Sequence, residues 1–170
     1  AEDRFCLYFQ ELRPLGRHAS EPPHFELLVR MRDRSGAMVP PGAFIPAAER
    51  FGVMPEVDRW VVRTALARFE SLHPQGGEIG LCSINLSGAT MGDESFPGFL
   101  LAELASAELA PDKLCFEITE TSAVSNFNQA SSLITALRQL GCKVALDDFG
   151  AGMSSFAYLK NLPVDYLKID

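Results

Sequence analysis

The sequence predicts an α/β barrel of the TIM type, and three observations carry that prediction. Short apolar runs ending in an acidic or amide residue alternate with stretches of helical period. This alternation marks parallel strands joined by helical crossovers. The polar residues near the strand ends, Glu26, Asn85, Glu117, Asp147 and Lys168, lie 59, 32, 30 and 21 residues apart, so one long connection precedes three of βα-unit length. No G-x-G-x-x-G or G-x-x-x-x-G-K-[ST] loop is present, which removes the usual marks of a nucleotide crevice in an open sheet. Functional side chains at the C-terminal ends of successive parallel strands are the habit of the barrel. Five such ends rich in metal-type ligands fit a closed ring better than one crevice.

The elements follow in order. Phe5–Leu12 reads as the first strand, and His24–Met31 (H-F-E-L-L-V-R-M) as the second. Pro55–Leu72 is predicted helical: Val57, Trp60, Val61, Thr64, Ala65, Leu66 and Phe69 give it an apolar face, and Pro55 suits a first turn. Ile79–Ser87 is the third strand, Phe96–Ala110 a helix, Lys113–Glu120 the fourth strand and Asn126–Leu140 a helix. Gly141 stands where a helix C-cap is expected. Cys142–Asp148 is the fifth strand, a shorter helix starts near Ser154 and ends before Pro163, and Val164–Asp170 is the sixth strand.

The chain has 170 residues, the size of one domain with a real core. A complete barrel runs to about 250 residues. Residues 1–170 are therefore read as about the first six strands of an eight-stranded barrel. The domain is either truncated at its C-terminal end or completed by something outside the sequence. Hydrophobic residues make up 47% and charged residues 22%, which excludes a disordered or fibrous chain. No apolar run approaches the length of a membrane span, so direct membrane insertion is not expected of this segment. The formal net charge of −7 argues against a DNA or RNA polymer as partner, which would call for a basic excess. It leaves room for an anionic ligand where metal ions supply local positive charge. Cys6, Cys82, Cys115 and Cys142 form no C-x-x-C pair and read as free thiols of a reducing cytoplasm.

Side chains alternate along a strand, which sets Glu26 with Leu28 and Arg30 on one face. Asn85 shares a face with Ser83 and Ser87, Glu117 with Cys115 and Thr119, Asp147 with Ala145, and Lys168 with Tyr166 and Asp170. If those faces point inward, the barrel mouth collects Glu26, Asn85, Glu117 and Asp147, with Asp148 at the rim and Lys168 nearby. Carboxylates this close need protons or cations to coexist. Oxygen ligands without Cys or His point to hard cations such as Mg²⁺, Mn²⁺ or Ca²⁺. The pair Asp147-Asp148 could bridge two ions, the standard device for displacement at a phosphodiester. Lys168 could then deprotonate or orient a water, provided metals and burial lower its pKa. Each strand-end carboxylate taken singly is as well explained by capping or by a neighbouring cation, Glu26 by Arg30 for example. The glycines and serines of Asp148–Ser155 (D-F-G-A-G-M-S-S) are ordinary turn residues. They also suit a loop that moves over a ligand.

Together the segments resemble the EAL-domain family, the phosphodiesterases that linearise the bacterial messenger cyclic di-GMP. The resemblance runs along nearly all of the chain. It rests on Tyr8-Phe9-Gln10, Glu26-Leu27-Leu28-Val29-Arg30, Pro41-Gly42 with Phe44-Ile45-Pro46-Ala47-Ala48-Glu49, Asn85-Leu86-Ser87, Glu117-Ile118-Thr119-Glu120, Asp147-Asp148-Phe149-Gly150 and Lys168-Ile169-Asp170. It implies a TIM-like barrel whose first strand runs antiparallel. It implies two divalent cations, Mg²⁺ or Mn²⁺, ligated by Glu26, Asn85, Glu117 and Asp147, with Asp148 on the second. Catalysis would fall to Lys168, Glu26 and Asp147. Gln10, Leu28 and Arg30 would contact the nucleotide, and Glu120 would steady the Asp148–Ser155 loop. The family also implies fusion to regulatory domains and admits a homodimer. Another metal-ligand Glu and a substrate-side Gln come from strands beyond position 170 in the family.

Three residues depart from the family pattern: Leu27 replaces the Ala of E-A-L, Glu11 replaces a Pro, and Ala151 replaces a Thr. Alternation turns position 27 away from the mouth, so Leu27 is expected to alter packing and not chemistry. The alternatives to hydrolysis are a non-catalytic cyclic di-GMP receptor and, without the family, a Schiff-base aldolase using Lys168.

Overall fold

The computed structural model describes residues 4–15, 21–73, 77–107, 109–150 and 158–170. Within them the strands are β1 (Phe5–Leu12), β2 (His24–Arg32), β3 (Met38–Val39), β4 (Leu81–Asn85), β5 (Leu114–Thr119), β6 (Lys143–Phe149) and β7 (Tyr166–Ile169). The helices are α1 (Pro41–Arg50), α2 (Met54–Arg68), α3 (Gly88–Met91), α4 (Phe96–Ser106), α5 (Glu120–Ser125) and α6 (Phe127–Gln139). All seven strands form one sheet in the order β1-β2-β4-β5-β6-β7, with β3 paired to β2. β1 and β3 are antiparallel to β2, and the pairs along β2-β4-β5-β6-β7 are parallel. The six long strands thus stand as predicted, the antiparallel first one included. The short helix expected from Ser154 falls largely outside the described residues; Leu159–Asn161 form a single 3₁₀ turn.

Strand alternation divides the core into two parts. Phe25 and Leu27, Cys82 and Ile84, Leu114, Phe116 and Ile118, and Val144 and Leu146 join one buried cluster with residues of α2, α4 and α6. On the opposite face Leu81, Cys115 and Ala145 form a small cluster of their own. This second cluster is the floor inside the curl of the sheet. Leu27 is 2% exposed within the helix-facing cluster, so its side chain belongs to packing.

The curl follows from one contact. Lys168 Nζ on β7 lies 3.1 Å from Glu26 Oε2 on β2, and β4, β5 and β6 intervene in the sheet. Four strand spacings of about 4.8 Å would separate β2 from β7 by roughly 19 Å in a flat sheet, too far for these side chains. The sheet must therefore bend round on itself, as part of a TIM-like barrel.

Three helices escape a reading by periodicity. α1 contains Pro46, a residue that ordinarily ends a helix. Its missing N–H would serve the carbonyl of Gly42 in the first turn, and buried Phe44, with Ile45 and Ala48, packs this helix on the core. α3 and α5 hold four and six residues, too few to show a period. The α6 terminus is as expected: Gly141 has φ of 94°. Its N–H bonds Arg138 O and the Cys142 N–H bonds Leu137 O, the paired bonds of a Schellman cap. The four cysteines are free thiols, and Cys82, Cys115 and Cys142 are buried. No described helix is long and apolar enough to cross a membrane.

Truncating Leu27 to the family's alanine tests the assignment of the two faces. Leu27→Ala is expected to lower unfolding free energy by about 2–5 kcal/mol through lost burial and a residual cavity. Denaturant titration measures this. A loss below about 0.5 kcal/mol would show that position 27 is not in the core.

Candidate active site

The mouth is built by stagger. Glu26 pairs in register with Ser83, two residues before Asn85. Asn85 is level with Glu117, and Glu117 with Ala145, two residues before Asp147. Such offsets accumulate around a barrel and bring side chains from different heights of the sequence to one level of the mouth. Carboxylate oxygens of Glu26, Glu117 and Asp147 lie within 4.8 Å of one another. Asn85 Nδ2 donates to Glu26 Oε1 at 2.9 Å, so its carbonyl oxygen is the amide atom left to accept or to ligate. Lys168 Nζ donates to all three acids: to Glu26 and Asp147 at 3.1 Å each, and to Glu117.

Burial and charge oppose each other here. The Glu117 side chain is 1% exposed. Burial pushes its carboxyl above the ordinary range, against hydrogen bonds from Lys168 and Ser83 that act the other way. Burial alone would depress the Lys168 ammonium, but the bonds and charge of Glu117, then Asp147 and Glu26, outweigh it and hold the pKa above the usual lysine value. Without metal, Lys168 is therefore a donor and not a base. The lowering that base chemistry requires does not come from burial alone.

Asp148 departs from regular alternation. The β6–β7 register shifts between Leu146 and Phe149, and Asp148 has φ of 54°, a region in which Asp is among the tolerated residues. The extra residue lets Leu146 and Phe149, three apart, both reach the helix-facing core. Asp147 stays in the mouth, and Asp148 stands exposed beside it. Burial, then the charges of Asp147 and Asp170, raise the Asp148 carboxyl. Asp148 lies outside the tight triad but within its field.

Of the other predicted residues, Gln10 lies opposite Glu26 on β1, and Leu28 and Arg30 lie opposite Tyr8 and Cys6. Directly paired residues share a face, so all three stand on the mouth side of the sheet. Arg30 sits over the Tyr8 ring at 5.6 Å and donates to Val29 O. Glu120, 4% exposed, accepts from the Gly150 N–H at 2.9 Å and from the Tyr158 hydroxyl. It thus ties down both described ends of the segment 150–158. The loop residues 151–155 lie outside the described residues. Sequence reasoning missed Tyr158 and the buried acid Asp58. The signal for Asp58 was its place on the α2 stripe between Val57 and Val61.

The donor set is three carboxylates and one amide, all oxygen, which fits a hard divalent cation. Fold and site together define a TIM-like barrel domain with an acidic, metal-type mouth. The EAL domain family model matches residues 1–170, and the chain belongs to that family. It is 41% identical over 169 residues to the cyclic di-GMP phosphodiesterase PdeB of Shewanella oneidensis, covering 99% of this chain and 20% of that protein. It is 36% identical over 168 residues to the cyclic di-GMP phosphodiesterase PdeA of Borreliella burgdorferi, covering 99% and 25%. The crystal structure of the FimX EAL domain from Pseudomonas aeruginosa bound to c-di-GMP superposes with a TM-score of 0.87 at 30% identity, over 99% of this chain and 66% of that one. The chain thus spans a fifth to a quarter of the length of these curated relatives.

Replacing Lys168 tests the electrostatic reading without reference to turnover. Lys168→Met leaves three close carboxylates without their cation, and the half-open mouth moderates the penalty. In chelated protein the variant should lose about 1–3 kcal/mol of unfolding free energy. An unchanged denaturation midpoint would show that the ammonium does not hold the acids together.

Proposed function

We propose that this domain hydrolyses cyclic di-GMP to linear pGpG with the aid of two divalent cations, Mg²⁺ or Mn²⁺. The observation that carries the reading is the convergence of Glu26, Glu117 and Asp147 on one point, with Asn85 and Lys168 in hydrogen-bond contact. It is supported by relatives at 36–41% identity named as cyclic di-GMP phosphodiesterases. Glu26, Asn85, Glu117 and Asp147 would hold one cation, and Asp147 and Asp148 would share in the second. When bound, the cations supply Lewis acidity and offset the repulsion between a dianionic ligand and an acidic mouth.

The chain's own side chains do the rest. Arg30 pairs with a phosphate, and Gln10 and Leu28 flank the nucleotide on the β1–β2 wall. Lys168 orients the attacking water from within the acidic cluster. The water oxygen bonds to phosphorus and releases a proton. The bond from phosphorus to the ribose 3′ oxygen breaks, and that oxygen takes up a proton, leaving a 5′ phosphate on pGpG. Glu120, holding Gly150 and Tyr158, fixes the ends of the loop beside Asp148. In this reading the strands that close the barrel, and the remaining second-site ligand, come from outside residues 1–170. The free thiols suit a cytoplasmic setting, where the domain would act fused to regulatory partners. A Schiff-base role for Lys168 is disfavoured, because an ammonium bonded to three acids is a poor nucleophile.

Turnover followed by chromatography in a full-length protein tests the reading. Glu26→Ala and Asn85→Ala should each lower it more than about a hundredfold, beyond the 10–100-fold typical of residues that only support ligands. Near-normal turnover in both would defeat the metal assignment. Exhaustive chelation should abolish activity and Mg²⁺ or Mn²⁺ restore it, whereas Ca²⁺, with its looser geometry, should occupy the site and support little turnover. Activity surviving chelation would end the two-metal reading. Tight cyclic di-GMP binding without cleavage by the unsubstituted, metal-loaded protein would favour the receptor alternative.

A further inference from the structure

One buried acid takes no part in the site described above. Asp58 lies on α2, 3% exposed, on the same stripe as Met54, Val57, Val61 and Val62. Its neighbour Arg59 turns instead to Asp93 at 2.6 Å. Asp58 Oδ2 accepts three hydrogen bonds: from the Ser87 N–H at 2.9 Å, the Ser87 hydroxyl at 2.7 Å and the Thr90 hydroxyl at 2.6 Å. Ser87 is itself the N-cap of α3, accepting from the Thr90 N–H.

The position of these bonds gives them a consequence. Ser87 is two residues beyond Asn85, at the point where β4 becomes α3. Between them, the Leu86 N–H donates to Glu117 O on β5 at 2.8 Å. The segment carrying Asn85 is therefore anchored at successive amides, one to the neighbouring strand and the next to a helix behind the sheet. Burying a carboxylate is unfavourable: burial raises the Asp58 carboxyl, and the Thr90 and Ser87 bonds only oppose it. An apolar side chain would fill the same stripe without that penalty. What the acid adds is direction, a fixed acceptor for one backbone amide and two hydroxyls.

We propose that Asp58 is a positioning residue for the metal site, holding the β4–α3 junction so that the Asn85 amide stands against Glu26. The inference rests on reading the acidic cluster as a metal site. Groups that orient ligands from outside are worth about 10–100-fold in metal affinity.

The test is Mn²⁺ binding to a full-length protein by titration calorimetry, with no nucleotide present. Asp58→Ala should weaken Mn²⁺ at least about tenfold. Asp58→Asn should restore most of that loss, because an amide oxygen can still accept from the Ser87 N–H. Leu27→Ala is the control, a core truncation that should lower stability and leave Mn²⁺ affinity unchanged. If Asp58→Ala does not fold, Ser87→Ala carries the test, with a several-fold loss expected. Wild-type Mn²⁺ affinity in folded Asp58→Ala, or in Ser87→Ala, would overturn the proposal and leave Asp58 as a tether between α2 and α3. Failure of the unsubstituted protein to bind Mn²⁺ would overturn both this inference and the metal reading beneath it.

Discussion

Three carboxylates cannot all stay ionised within a few ångströms of one another without a cation among them, and the arrangement of this domain follows from that constraint. Lys168 meets it from β7, while the acids come from β2, β5 and β6. The ammonium links β7 to β2 across three intervening strands, so the electrostatic pairing and the curl of the barrel are one geometric fact. The floor beneath the cluster is small and apolar, Leu81, Cys115 and Ala145. Ser83, on the same face of the sheet, adds a hydrogen bond to Glu117.

The stagger of the strands supplies the geometry, and anchors behind the sheet hold it. Leu86 bonds across to β5, and Asp58 reaches through from α2 to Ser87. Glu120 does the corresponding work on the loop side, through Gly150 and Tyr158. In both places an acid without a place in the acidic triad fixes the backbone beside a residue that has one, or stands next to it. The mouth is thus built in two layers, acids that face its opening and acids that hold the chain carrying them.

The inner layer was legible in the sequence and the outer layer largely was not. Glu26, Asn85, Glu117, Asp147 and Lys168 end apolar runs at βα spacing, and period-two alternation puts them on one face; nothing beyond local pattern is required. The strand positions follow for the same reason. α1 was hidden because Pro46 reads as a breaker, although its missing N–H removes only the one hydrogen bond to the Gly42 carbonyl. Asp58 was hidden because a helical face is read from its apolar members, and an acid among them looks like an interruption. Its partners, Ser87 and Thr90, are about thirty residues distant in the chain and meet it only in the folded state. The irregularity at Asp148 is equally invisible: two adjacent aspartates read as a plain strand end, and only Phe149 returning to the core requires the extra residue.

Separating chemistry from packing by a single residue has a consequence for how such a chain tolerates change. Glu26 and Leu28 face the mouth, while Leu27 between them lies in the core against the helices. A substitution at position 27 is therefore judged by volume and shape, as any core position is, and the larger leucine is accommodated where the family pattern has alanine. The same substitution one residue away would exchange a carboxylate for a hydrocarbon beside Lys168 and Asn85. Departure from a motif thus carries functional weight only when the altered side chain stands on the mouth face. By that criterion Leu27, the departure in the name-giving motif, leaves the mouth face unchanged, because its side chain points the other way.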